Sequence, residues 1–111
     1  MHELSITQGI IEICESHAGG RRVVSIDVEI GELSSVVPDA VAFCFEACSQ
    51  GTMLQGASIN IIRIPGRGHC LKCDAETPLT AIFDACQRCG RFQVTVVSGE
   101  ELRVREIEVD E

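Results

Sequence analysis

Two C-x-x-C pairs, Cys70-Leu-Lys-Cys73 and Cys86-Gln-Arg-Cys89, stand twelve residues apart in a chain of 111. Two residues between thiolates let one tight turn aim both sulfurs at a single ion. A loop of about a dozen residues then lets two such turns meet and complete a tetrahedron. Thiolate tetrahedra select zinc or iron, and structural sites use zinc most. A structural zinc ion on Cys70, Cys73, Cys86 and Cys89 is therefore expected, with a rubredoxin-like iron centre as the alternative and two disulfides as a third reading. Four thiolates fill the coordination sphere, so no position stays open for a catalytic water. Residues 65–91 have so little to bury that the metal is expected to hold their fold. His69 adjoins Cys70 and has two readings, an exposed loop histidine or a residue that replaces or supports a thiolate.

The rest of the chain has regular periodicity. Ile6, Ile10, Ile13, Cys14 and His17 recur at spacings of three and four, which predicts a helix over 3–18 that Gly19-Gly20 stops. "RRVVSIDVEIGE" alternates, with Val24, Ile26, Val28 and Ile30 on one face of a half-buried strand. Pro38 suits the first turn of a second helix, whose stripe is Val41, Cys44, Phe45 and Cys48 and which Gly51 closes. Cys14, Cys44 and Cys48 read as small buried hydrophobes. Strands are expected at 57–64, in "FQVTVV" with Phe92, Val94 and Val96 on one face, and in "ELRVREIEV". The fold class is α+β, a small sheet packed with two helices and carrying an inserted zinc-ribbon-like four-cysteine domain. Residues 1–64, completed by 93–111, form the first domain, and 65–92 form the insert.

Charge and composition narrow the function. The net charge is −8, the opposite of what phosphate neutralisation needs. Arg63, Arg67, Lys72, Arg88 and Arg91 fall in one short stretch, and offsetting thiolate charge by Arg67, Lys72, Arg88 and Arg91 is an alternative explanation of that cluster. No nucleic-acid partner is expected, although a zinc-ribbon module for protein or nucleic acid is the rival reading. The longest apolar run, Ala40 to Phe45, is far too short for a bilayer, and no signal peptide is evident. A soluble cytoplasmic protein without membrane contact follows. Neither a nucleophile–base pair nor a phosphate-cradling glycine loop is present, so no enzyme is expected.

His2 has two readings as well. It is the second residue of a frayed start, or it joins the Met1 amine and its own amide nitrogen in a tridentate nitrogen set, with a fourth position for Glu3 or an outside ligand. Such a set suits Ni²⁺ or Cu²⁺ better than Zn²⁺. Binding there would weaken as pH falls, because the donors must lose protons.

"MHELSI", "GELSSVVPDAVAFCFE" at 31–46, "PGRGHCLKC" and "CQRCG" together resemble the HypA/HybF family of hydrogenase nickel-incorporation proteins over nearly the whole chain. The resemblance implies a cytosolic nickel metallochaperone, with nickel as cargo. It implies His2 as the essential nickel ligand, assisted by Met1 through its amine and tentatively by Glu3, and places structural zinc on Cys70, Cys73, Cys86 and Cys89. Implied partners are a nickel-binding GTPase and the large subunit of [NiFe]-hydrogenase, with urease maturation factors for some members. Both monomer and homodimer stay open. Some relatives flank both cysteine pairs with histidines; here only His69 is present, so a pH-switched zinc site gains no support.

Overall fold

The computed structural model describes residues 2–110. The elements run α1 (His2–His17), β1 (Val23–Gly31), α2 (Pro38–Cys48), β2 (Ser58–Ile64), β3 (Arg67–Cys70), β4 (Glu76–Pro78), β5 (Val94–Ser98) and β6 (Leu102–Val109). They form two three-stranded sheets, ordered β2-β1-β6 and β4-β3-β5, so the expected α+β class holds. The chain divides into two compact units. The first comprises 1–29, 36–62 and 103–111, and the second comprises 30–35 and 63–102.

In the first unit, α1 ends where Gly19 and Gly20 adopt φ of +64° and +78°, a region open to glycine at little cost. Its buried residues are Thr7, Ile10, Ile11 and Cys14, a run at i, i+3, i+4 and i+7. The stripe is thus rotated from the expected one: Ile13 is 51% exposed and Thr7 is buried. Thr7 tolerates burial because its hydroxyl donates to the Glu3 carbonyl at 2.6 Å. In α2, Pro38 opens the helix after an extended Val37, and Val41 and Phe45 are its buried residues. Cys14 is buried as expected, whereas Cys44 and Cys48 are only half-buried. The two helices pack on each other. Ile26 and Val28 of β1, together with Leu54, complete the core of this unit.

β6 departs from simple alternation. Its half-buried residues are Val104, Ile107 and Val109, while Arg105 and Glu106 are both exposed. Arg103 Nε meets Glu29 Oε1 at 2.5 Å, and Ser25 Oγ donates to Glu108 Oε1 at 3.2 Å. The adjacent exposed pair Arg105–Glu106 interrupts the alternation of buried and exposed positions. β1 also breaks simple alternation at its start, where Val23 is buried and Val24 is 44% exposed. Asp110 N–H then meets the Arg22 carbonyl at 2.8 Å.

In the second unit, β3 lies between β4 and β5 and pairs antiparallel with both. Gly68 sits in this central strand against the Leu79 side chain, where a Cβ would come within 2.8 Å of Leu79 Cδ1. Phe92, expected in this strand on one face with Val94 and Val96, lies outside β5 and is 74% exposed.

Candidate metal centre

Each C-x-x-C pair sits in a turn of the same construction. Cys70 N–H donates to the Ala75 carbonyl and Asp74 N–H returns to the Cys70 carbonyl, at 2.9 and 3.0 Å. In the second turn, Cys86 N–H donates to the Arg91 carbonyl and Gly90 N–H to the Cys86 carbonyl, both at 2.8 Å. The residue four places after the first cysteine has positive φ in each, +63° at Asp74 and +77° at Gly90. Gly90 is readable from the sequence as a turn former. Its counterpart Asp74 is not, although Asp is among the few non-glycine residues that tolerate this region.

The two turns bring all four sulfurs together. Cys70 Sγ lies 3.6 Å from Cys89 Sγ, and Cys73 Sγ lies 3.7 Å from Cys86 Sγ. Every pair falls within 4.8 Å. A tetrahedral ion with metal–sulfur bonds of about 2.3 Å requires sulfurs about 3.8 Å apart, so the donor set fits a four-thiolate ion such as zinc. The first cysteine of each pair is buried, and Cys73 and Cys89 are exposed.

Thiol acidity follows the turn geometry. Cys73 N–H donates to Cys70 Sγ at 3.4 Å. That bond, with the Lys72 amide, outweighs desolvation and holds the Cys70 thiol down at about 6. The Cys89 amide, then that of Arg88, lowers Cys86 against desolvation in the same way. Cys73 has the Ala75 amide in its favour, but desolvation and the adjacent sulfurs of Cys70, Cys86 and Cys89 push it up to about 11. A bound cation overrides this inequality, since a coordinating thiol is deprotonated outright.

His69 takes no part in the sulfur cluster. Its Nε2 lies 2.9 Å from Asp74 Oδ1. Arg67 pairs with Glu76 at 2.6 Å, which leaves Lys72, Arg88 and Arg91 without a carboxylate partner among the described residues. The remaining candidate residues lie in the first unit. His2 is exposed at the first position of α1. Glu3 Oε2 accepts the Val37 N–H at 3.3 Å, and Glu3 is held below the usual carboxylate range by its own amide and that of Val37. Met1 lies outside the described residues.

A family model described as "Hydrogenase/urease nickel incorporation, metallochaperone, hypA" matches residues 1–109. The chain belongs to the HypA family. The hydrogenase maturation factor HypA of Geobacter metallireducens is 58% identical over 110 residues, which cover 99% of this chain and 100% of that protein. HypA of Geobacter sulfurreducens is 56% identical over the same coverage. The fold matches the solution structure of the Ni metallochaperone HypA from Helicobacter pylori, with TM-score 0.67, 22% identity and 96% of each chain covered. A second HypA solution structure matches with TM-score 0.70 and 24% identity, covering 98% of this chain and 96% of the other. HypA proteins are metallochaperones for maturation rather than enzymes. No helix among the described residues is long and apolar enough to cross a membrane.

Proposed function

We propose that this chain binds Ni²⁺ at its N-terminus and delivers it during [NiFe]-hydrogenase maturation, while zinc on Cys70, Cys73, Cys86 and Cys89 holds the second unit together. The observation that carries this reading is the full-length correspondence with hydrogenase maturation factors, 58% identical from end to end.

The local chemistry supports it. The first N–H groups of a helix have no intrahelical partner. The His2 amide can therefore release its proton to solvent and bind a metal in its place without breaking a helix hydrogen bond. With the Met1 amine and the His2 imidazole it makes an all-nitrogen set of the kind Ni²⁺ prefers. Glu3 adds negative charge at the same helix end, where its Oε2 accepts from the Val37 amide. A terminal site with few ligands releases its cargo by ligand exchange, which a closed thiolate cage resists. The division of labour is thus nickel for transfer and zinc for architecture.

The reading carries its partners with it: a nickel-binding GTPase, the large subunit of [NiFe]-hydrogenase and, for a urease-bearing cell, urease maturation factors, all in the cytoplasm. The net charge of −8 suits a basic docking surface on a partner rather than nucleic acid. The test is complementation of a cell whose own gene for this protein is deleted. The intact chain restores hydrogenase activity, and His2→Ala at equal expression does not. Equal restoration by both overturns the proposal.

A further inference from the structure

Helix α2 is apolar on both sides. Between Pro38 and Cys48 its only polar side chains are Asp39 and Glu46, and the helix holds no base to pair with either. A surface helix keeps one apolar stripe towards the core and a charged face towards water. In α2 the core side is Val41 and Phe45. At about 100° per residue, Phe43 points directly away from the line between those two, and it is 81% exposed.

A lone apolar side chain on a surface is ordinary, but Phe43 is not alone. Ala40 and Ala47 lie one turn to either side of it, half-buried and exposed, so small side chains leave the ring standing proud. Along the edge marked by Ala42, Glu46 and Ser49 runs a groove of about 330 Å³, also lined by Ala57 and Ile59. An aromatic anchor beside a groove is the feature on which binding energy concentrates in protein interfaces.

The charges say what covers this face. Asp39 and Glu46 are both exposed and have no ion-pair partner among the described residues. They stand four residues before Phe43 and three after it, spacings that gather side chains on one helix face. Along the axis they are about 10 Å apart, at 1.5 Å per residue. A surface that buries Phe43 desolvates both carboxylates and must supply cations to them, because a buried unpaired charge is costly. Nucleic acid would bring phosphates against them. Two copies meeting through this face about a two-fold axis would set acid against acid.

We propose that the outer face of α2 docks a partner protein that offers an apolar pocket to Phe43 and basic side chains to Asp39 and Glu46. The surface uses none of the proposed zinc or nickel ligands, so the inference stands apart from the nickel reading.

The experiment is site-specific photo-crosslinking in the native host, with benzoylphenylalanine replacing Phe43 in the full-length chain. One discrete protein adduct is expected. Adding Asp39→Asn and Glu46→Gln, which keep side-chain shape, lowers its yield by about tenfold. The captured protein, once purified, binds the zinc-loaded parent, and binding weakens with added salt. Phe43→Ala weakens that binding by about tenfold or more. A loss through unfolding is checked separately. Phe43 is exposed and alanine is the better helix former, so Phe43→Ala keeps the parent's zinc content and unfolds at no lower denaturant concentration. No adduct at position 43, an adduct indifferent to the loss of both charges, or a captured protein that binds Phe43→Ala as tightly as the parent overturns the surface. Capture of a second copy of this chain alone overturns it as well.

Discussion

Removing the metal from the four-thiolate site is expected to unfold the second unit and leave the helices of the first in place. The buried apolar side chains of the second unit, besides Cys70 and Cys86, are Ile30, Leu33 and Leu79. At about 1.5–3 kcal/mol for each fully buried side chain, they contribute together about 5–9 kcal/mol. A structural zinc ion held by thiolates contributes roughly 10–16 kcal/mol at neutral pH. The ion stabilises more than the apolar burial does, and three aliphatic side chains cannot offset the ordering entropy of this segment without it. The core of the first unit, with Ile10, Ile11, Ile26, Val28, Val41, Phe45 and Leu54, contains none of the four clustered cysteines. Hydrogen exchange before and after chelation reads the difference. The Cys70, Leu71 and Leu79 amides, bonded to the Ala75, Gln93 and Gly66 carbonyls, lose protection. The interior amides of α1 and α2 keep theirs, and the far-ultraviolet helix signal persists. Undiminished protection at Leu79 after complete chelation, or collapse of both helices with it, would refute the reasoning.

Leu54 is fully buried, so Leu54→Ala is expected to cost about 2–5 kcal/mol in denaturant unfolding of the metal-saturated chain; a loss under about 1 kcal/mol would mean the site collapses around the gap. Burial pushes the Cys14 thiol up to about 11, so its neutral form is favoured: the stabilisation is present below the ordinary value of 9 and fades as pH rises through about 11. At about pH 8, iodoacetamide should label half-buried Cys44 and Cys48 in the native chain and spare Cys14, as peptide mapping will report. Asp84 Oδ2 accepts from the Thr80 hydroxyl at 2.6 Å, the Thr80 amide at 2.7 Å and the Ala81 amide at 3.1 Å, and these bonds lower its pKa from 3.8. The depressed value means this turn is stabilised above the ordinary carboxylate range and loosens only as pH falls below it. The Thr80 amide resonance should therefore titrate below 3.8, and in Asp84→Asn it should not titrate with this group.

Signals that act over a few residues were legible in the sequence. Gly19-Gly20 and Pro38 bounded the helices, alternation marked Ile26, Val28 and Ile30 on one face, and the cysteine spacing pointed to the sulfur cluster. Features that depend on what a side chain bonds to or packs against, or on an unusual backbone angle, were not. Thr7 enters the core only because Glu3 satisfies its hydroxyl, and Ile13 is displaced to the margin by that rotation. Alternation marked Val94 and Val96 as strand residues but could not say that their partner is β3. The pairing of Arg103 with Glu29 and of Ser25 with Glu108 joins residues far apart in the chain, which periodicity alone cannot match. Asp74 was obscured because aspartate in a left-handed turn reads as an ordinary surface acid until Gly90 is seen in the equivalent place.

Calorimetric nickel titration tests the central claim most directly, using the untagged, zinc-loaded chain beside His2→Ala and a form extended by one N-terminal residue. The account predicts one tight nickel site in the parent, lost in His2→Ala and weakened in the extended form, with zinc content unchanged in all three. Equal nickel binding by the three proteins, or none by the parent, contradicts it.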